Sequence, residues 1–381
     1  MASRYEDAQR NAHSESVPTF LDTMVFDVER SRGAWLHESS QRRDYLDLTS
    51  SFGRDDLGYN HRRFKAAEPT GFTGSSGVVL HAQENLERLR QRLIESCCGP
   101  YGVALGSSLD DVYQWVLKTV LAAKPSGARM LELSWDEGLQ LDAAHLSGYH
   151  EPHAATLALE ELLAEDDGPV AGLWVELPSV AEAAQESLSH WLAGLGEICK
   201  RHDALLILDE VKSGFGRSGL WWDWQHFDVE PDLVVFGGGS KVSGVFIHNR
   251  LTALPSYELA CPEPSQVAWC DLLLDVIEDE GLLGHAEVMG LYLRKVLSGL
   301  KVSFEQIRTV RSRGLRASFE LPSRNDRDRV LEACFGENLI LLPIGECSIG
   351  FYPPLDVRAD AIGRAAAQLE VALQAVYEAE S

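Results

Sequence analysis

The stretch from Ala204 to Arg250, ALLILDEVKSGFGRSGLWWDWQHFDVEPDLVVFGGGSKVSGVFIHNR, decides the fold of this chain. It contains three short apolar runs, at Leu205 to Asp209, Leu233 to Phe236 and Gly244 to His248, each bounded by glycine or polar residues. Runs of this length, rich in leucine, isoleucine and valine, predict buried β-strands. The stretch therefore indicates the centre of a β-sheet.

On the N-terminal side of this stretch, strands alternate with helices. Two more apolar runs, Met130 to Ser134 and Gly172 to Glu176, predict strands, and Leu188 to His202 has apolar residues at helical spacing. Such alternation is typical of βαβ units. We expect an α/β fold whose large domain has a mostly parallel sheet flanked by helices.

On the C-terminal side, the pattern changes after about Pro264. Long helices come first, short strands follow, and an amphipathic helix at Asp360 to Glu378 closes the chain. The predicted short strands are Arg316 to Leu321, Asn338 to Leu342 and Ser348 to Tyr352. With a hairpin pattern near the N-terminus, they predict a smaller α+β domain made of both chain termini. The expected organisation is residues 1–65 in the small domain, 66–264 in the large domain, and 265–381 as an interdomain helix and the rest of the small domain.

The composition excludes several classes of partner. The 381 residues are 45% hydrophobic, which is typical of a globular protein with an ample core. Lysine and arginine number 34 against 58 acidic residues, so the net charge of −24 repels nucleic acid and anionic membranes. The first twenty residues lack the apolar core of a signal peptide, and no apolar run approaches the length of a membrane span. We expect a cytoplasmic protein without a nucleic-acid or membrane partner.

Cysteine and histidine spacing does not predict a metal site. The seven cysteines are scattered and form no CxxC pair, so they indicate neither a disulfide framework nor a structural zinc site. His145, His150 and His153 lie close together in HLSGYHEPH, but no carboxylate or thiolate completes a familiar spacing. We expect a polar loop there and no bound metal.

Asp209 is the first candidate for a functional residue, because it ends a predicted buried strand. Ligands of open α/β sheets bind at the carboxyl ends of the strands. A carboxylate there can hold the protonated ring nitrogen of a heterocyclic cofactor. It can equally be a helix cap or a loop carboxylate.

Ser107 and Ser108 are a second candidate, since they precede a predicted helix at Asp110 to Ala123. Hydroxyls and backbone N–H groups at a helix N-terminus bind phosphate well. The alternative is an ordinary serine cap, and the carboxylates of Asp110 and Asp111 would repel a phosphate. These charges favour the cap.

Together these motifs resemble the class III aminotransferases, which are fold type I pyridoxal phosphate enzymes, and in particular their lysine 6-aminotransferase and 4-aminobutyrate aminotransferase branch. HDALLILDEVKSGFGRSG at His202 to Gly219 is similar to the most specific motif of the family. EPDLVVFGGGSKVSGVF at Glu230 to Phe246 is similar to its lysine-bearing segment, and Arg32 to His61 to its N-terminal hairpin. The resemblance covers most of the chain. It implies a homodimer and makes 66–264 the cofactor domain.

The resemblance also assigns roles to individual residues. Asp209 would bind the pyridine nitrogen, and Val211 would pack against the ring. Ser107 and Ser108 would lie at the phosphate, and Trp135 would lie near the place of the aromatic residue that stacks on the ring.

Several positions depart from the family pattern. Gly238 stands where the family has its Schiff-base lysine, and transamination needs a primary amine at that point. Lys212 replaces a glutamine that contacts the cofactor. Gly350, Phe351 and Tyr352 stand where the family has an arginine that grips the substrate carboxylate. These departures indicate that several parts of the usual mechanism have been lost.

Two lysines can substitute for the missing amine, namely Lys241 and Lys212, although each can equally be a solvated surface charge. The catalytic candidates are Lys241, Lys212 and Glu210, which together with Asp209 would crowd one cleft. Glu182 is a weaker candidate.

We therefore expect a diverged, repurposed member of the family that cannot carry out ordinary transamination. It would bind or act on an amine or amino-acid-derived small molecule in a biosynthetic pathway, with pyridoxal phosphate absent or bound non-covalently. One alternative is an active pyridoxal phosphate-dependent ω-aminotransferase that uses Lys241. Another is a non-catalytic partner subunit of an active homologue.

Overall fold

The computed structural model describes residues 24–50, 56–67, 77–124, 128–133, 169–177, 185–237, 242–251 and 257–377. The chain forms two compact units. The smaller unit is Met1–Lys65 with His285–Ser381, and the larger unit is Ala66–Gly284.

The described residues contain eight α-helices and fourteen β-strands. In chain order they are β1 (Phe26–Arg32), β2 (Trp35–Glu38), β3 (Arg43–Asp47), α1 (Arg62–Ala67), α2 (Gly77–Cys97), β4 (Tyr101–Gly106), α3 (Leu109–Ala122), β5 (Arg129–Leu133), β6 (Val170–Glu176), α4 (Gln185–Arg201), β7 (Leu205–Asp209), β8 (Leu233–Phe236), β9 (Ser243–His248), α5 (Pro264–Asp279), α6 (Leu282–Ser303), β10 (Val310–Arg313), β11 (Arg316–Glu320), α7 (Arg324–Gly336), β12 (Leu339–Ile340), β13 (Leu342–Ile344), β14 (Ser348–Phe351) and α8 (Ala359–Tyr377). A short 3-10 helix, Asp223–His226, lies between β7 and β8.

The larger unit contains a mixed six-stranded sheet in the order β4-β9-β8-β7-β6-β5. The four strands from β5 to β8 pair with one another in parallel, which confirms the α/β prediction. The strand expected at Gly244 to His248 is present as β9, but it runs antiparallel to both β8 and β4. Only a short connection joins β8 to β9, and parallel strands require a much longer crossover.

The core of the larger unit positions the carboxyl end of the sheet. Helix α3 presents a stripe of fully buried valines, Val112, Val116 and Val120, at the four-residue spacing of one helix face. This stripe packs in one cluster with Ile207 of β7 and Val235 of β8. Each buried valine contributes about 1.5 kcal/mol or more through the hydrophobic effect. The packing therefore fixes α3 against the central strands.

The smaller unit contains two four-stranded sheets, β1-β2-β3-β12 and β10-β11-β14-β13, in the described residues. Strand β12 pairs in parallel with β3, so one sheet joins segments from both ends of the chain. The single strand expected at Asn338 to Leu342 is divided into β12 and β13. These strands pair in different sheets, and Leu341 lies between them.

Every helix of the described residues is too short or too polar to span a membrane.

Candidate functional site

Asp209 ends β7, the strand that lies between β6 and β8. Its Oδ2 accepts hydrogen bonds from Tyr113 Oη at 3.0 Å and Trp174 Nε1 at 3.2 Å, and its Oδ1 accepts one from the Val211 N–H at 3.0 Å. The pKa of Asp209 is raised from 3.8 to about 6, mainly by burial and in addition by the nearby charge of Glu176. The hydrogen bonds oppose this shift. The site thus holds a carboxyl group that titrates near neutral pH.

Strand alternation explains which side chains meet at this carboxyl group. Trp174 and Glu176 lie two residues apart on β6, and they are in register with Ile207 and Asp209 on β7. Side chains two residues apart point to the same face of a sheet. The ring of Tyr113 packs edge to face against the Trp174 ring, with centroids 5.2 Å apart.

Sequence reasoning missed Tyr113 and Trp174. Two signals could have found them. Trp174 is two residues before Glu176 in an apolar strand, and Tyr113 is four residues after Leu109, the first residue of α3. Neither pattern predicts that Asp209 is the shared partner of these two side chains. The Tyr113 contact depends on how α3 packs on the sheet, and the Trp174 contact depends on the register of β6 with β7.

Lys212 lies on the solvent side of this carboxylate pair. Its Nζ is 2.5 Å from Glu176 Oε1, and about two thirds of its side chain is exposed, at 64%. Formation of a Schiff base requires the neutral amine, whereas an ion pair favours the ammonium form. The geometry therefore assigns Lys212 a charge-neutralising contact in this arrangement.

Glu210 has different surroundings from Asp209, although the two are adjacent in sequence. Its carboxylate is buried and accepts hydrogen bonds from Ser213 Oγ at 2.6 Å and from the backbone N–H groups of Asp223 at 3.0 Å and Trp224 at 2.5 Å. Burial, followed by the charge of Asp223, raises the pKa of Glu210. These contacts fasten the loop that follows β7.

Ser107 and Ser108 lie at the start of α3, where both hydroxyls contact Asp111. Ser108 is the N-cap, and its Oγ accepts a hydrogen bond from the Asp111 N–H at 3.1 Å. Ser107 Oγ donates to Asp111 Oδ2 at 2.5 Å. The hydrogen bonds from Ser107, and then from Ser108, lower the pKa of Asp111. A carboxylate of the chain itself therefore lies at this helix N-terminus.

Val211 is partly buried against the same core cluster as α3. The segment that follows β8 begins beside α3. A Cβ atom placed on Gly237 would lie 3.2 Å from Leu109 Cδ1 and 2.6 Å from Ser243 Oγ. Only glycine fits there without displacing a neighbour.

Several sequence-predicted residues lie outside the described residues. They are Trp135, Glu182, Gly238 and Lys241, together with His145, His150 and His153.

Comparison with known proteins gives consistent matches. A family model described as aminotransferase class III matches residues 129–373. The L-lysine-epsilon aminotransferase of Mycobacterium tuberculosis is 33% identical over 266 residues, which cover 65% of this chain and 59% of that protein. The match thus spans less than two thirds of that relative. The protein of the same name from Streptomyces clavuligerus is 25% identical, and the alignment covers 97% of this chain and 96% of that protein.

Solved structures extend this similarity to the whole chain. A lysine aminotransferase from M. tuberculosis in the internal aldimine form superposes with a TM-score of 0.75 at 26% identity. The alignment covers 97% of this chain and 99% of that one.

Proposed function

The chain belongs to the class III aminotransferase family, and we propose that it binds an amine or amino-acid-derived small molecule without ordinary pyridoxal phosphate-dependent transamination. The observation that carries this proposal is the environment of Asp209. A partly buried carboxyl group with a raised pKa lies in register with a second carboxylate, Glu176, at the ligand-binding edge of the sheet.

The charges at this edge favour a cationic ligand. The negative charge of Glu176 disfavours ionisation of Asp209, and the ion-paired Lys212 offsets this effect only in part. A protonated amine beside both groups would relieve this repulsion and offset the desolvation of Asp209. An anionic ligand would add to the repulsion. An amino group is thus the part of a substrate that this edge suits best.

Two further features argue against the usual reaction. Gly238 occupies the place that the family resemblance gives to the catalytic lysine, and the nearby Lys212 is held in an ion pair. In addition, Tyr113 and Trp174 already donate to Asp209 Oδ2, the partner expected for the pyridine nitrogen. A pyridine nitrogen would have to displace one of these donors or bind Oδ1 instead, which supports the proposal that pyridoxal phosphate does not bind in the usual way.

The direct test is calorimetry with two ligands that differ by one amine. L-Lysine and norleucine share a carbon skeleton, and only lysine has the terminal amine. We expect lysine and cadaverine to bind and norleucine to bind at least about tenfold more weakly. Asp209→Asn should remove that preference. Equal affinity for lysine and norleucine would contradict the proposal.

The raised pKa of Asp209 adds a second readout to the same experiment. A cationic ligand stabilises the ionised carboxylate, so binding near pH 6 should release a proton from Asp209. Proton release is measured by repeating the titration in buffers that differ in ionisation enthalpy. It should disappear at about pH 8, where the carboxyl group is already ionised, and in Asp209→Asn. The same proton release in that variant would show that another group is responsible.

An active ω-aminotransferase that uses Lys241 is the second candidate. The match to lysine-epsilon aminotransferases along nearly the whole chain favours it. The purified protein with added pyridoxal phosphate would then show a visible absorption band that borohydride bleaches and that Lys241→Ala abolishes. The first proposal predicts that this absorption band is absent.

The third candidate is a non-catalytic partner subunit. Co-purification of this chain with a homologue that has the lysine at the position of Gly238 would favour it over both enzymes.

A further inference from the structure

The start of α3 carries an anion of its own. A helix N-terminus has a partial positive charge and exposed N–H donors, so it attracts phosphates and carboxylates. In this chain the Asp111 carboxylate already lies there, held by the Ser107 hydroxyl at 2.5 Å. The hydroxyl that could contact a phosphate is therefore donating to a residue of the same helix.

The backbone around this position is also engaged. The Ser107 N–H donates to the Ala260 carbonyl oxygen at 2.9 Å, and the Asp111 N–H donates to Ser108 Oγ. Gln266 Nε2 donates to the Ser107 carbonyl oxygen at 3.0 Å, which holds this turn from the other side. A phosphate would need to displace these contacts as well as meet the Asp111 charge.

The start of α3 belongs to the same edge of the sheet as Asp209. Tyr113, in the second turn of α3, donates to Asp209 Oδ2, and Leu109 lies beside Gly237 at the end of β8. A ligand that extends from Asp209 along this edge would bring its far end toward Asp111. The Asp111 carboxylate would repel a negatively charged group at that end and attract a positively charged one.

We infer that Asp111 is a specificity-determining residue that excludes phosphorylated ligands, pyridoxal 5'-phosphate included, from the start of α3. This inference goes beyond the proposed function, because the exclusion holds whether or not an amine binds at Asp209. Asp111 acts by occupying the helix N-terminus with a fixed negative charge and by holding the Ser107 hydroxyl.

The test compares Asp111→Asn with Asp110→Asn in the full-length protein. Both variants remove one negative charge from the first turn of α3. Asp110 is exposed, whereas the Asp111 carboxylate accepts the hydrogen bond from Ser107 Oγ. Three ligands are titrated by calorimetry: pyridoxal 5'-phosphate, pyridoxal and inorganic phosphate. Pyridoxal lacks the phosphate and otherwise has the same ring and aldehyde.

We expect the wild-type protein to bind pyridoxal 5'-phosphate no more tightly than pyridoxal. Asp111→Asn should raise the affinity for pyridoxal 5'-phosphate and inorganic phosphate by on the order of tenfold and leave that for pyridoxal unchanged. Asp111→Ser, which retains a polar residue in the first turn, should give the same gain and serves if the asparagine variant fails to fold.

Three results would overturn the inference. They are a wild-type preference for pyridoxal 5'-phosphate over pyridoxal, an equal gain in Asp110→Asn, and no gain in either variant of Asp111. Failure of lysine to bind the wild-type protein would count against the proposed function and would leave these comparisons unaffected.

Discussion

Replacement of Asp209 by asparagine should change the stability of the protein in a direction that depends on pH. The pKa of this carboxyl group is about 6 in the folded protein against an ordinary value of 3.8. The folded state therefore binds the proton more tightly than the unfolded state does. The contribution of Asp209 to the unfolding free energy is therefore most favourable below pH 3.8. It falls as the pH rises from 3.8 to about 6 and is constant above that.

The magnitude follows from the same values. The difference between about 6 and 3.8 corresponds to about 3 kcal/mol of unfolding free energy lost at neutral pH, at about 1.36 kcal/mol for each pH unit. Asparagine does not titrate, so it removes this penalty. It has one acceptor oxygen instead of two and loses at least one of the three hydrogen bonds, which costs about 1 kcal/mol. At about pH 8, Asp209→Asn should be more stable than the wild type by about 2 kcal/mol.

Near about pH 4 the sign should reverse, because the wild-type carboxyl group is protonated there and only the lost hydrogen bond counts. Urea unfolding of both proteins across this range measures the difference, and titrating groups that do not interact with Asp209 cancel in the comparison. Asp110→Asn is the matched control, since its side chain is exposed. A difference between wild type and Asp209→Asn that does not vary with pH would refute the reasoning.

Three further predictions concern two neighbours of Asp209 and the buried core of α3. Tyr113→Phe removes a hydrogen-bond donor and should destabilise the protein by about 1 kcal/mol in urea unfolding at neutral pH; an unchanged midpoint would contradict it. Glu176→Gln removes a charge that raises the pKa of Asp209, so the pH range in which stability falls should shift to lower pH. An unchanged pH range would contradict an electrostatic effect of Glu176 on Asp209. Val116→Ala truncates the fully buried core of α3 and should cost about 2 kcal/mol, whereas Val302→Ala, at a residue 88% exposed, should cost less than about 0.5 kcal/mol. Equal effects of the two valine changes would contradict the assigned core.

The central strands were predictable because their signal is local. LLILD at Leu205–Asp209 and LVVF at Leu233–Phe236 are continuous apolar runs between turn residues, and both strands have the predicted limits. The direction of β9 was less predictable. Its sequence is apolar in either orientation, and only its pairing with β4 and β8 defines it as antiparallel.

The site was predictable in part. The position of Asp209 at the end of a buried strand was evident from sequence, and so was the conflict between Asp111 and a phosphate at the start of α3. The sequence predicts Asp209 and Glu210 in one cleft, whereas the structure gives the two carboxyl groups different hydrogen-bond partners. The loop after β7 gives Glu210 three hydrogen-bond donors, whereas from this loop Asp209 receives the Val211 N–H and its other donors, Tyr113 and Trp174, come from α3 and β6.

The sequence by itself determined the α/β class, the family and the edge of the sheet where a ligand would bind, because apolar periodicity and the DEVKSGFGRSG motif are properties of neighbouring residues. Only the tertiary structure decided what lies at that edge. Tyr113 reaches Asp209 because the valine stripe of α3 is buried against the sheet, and Trp174 reaches it because β6 pairs in register with β7. Hydrogen bonds between distant segments depend on that packing, and burial in the same packing raises the pKa of Asp209.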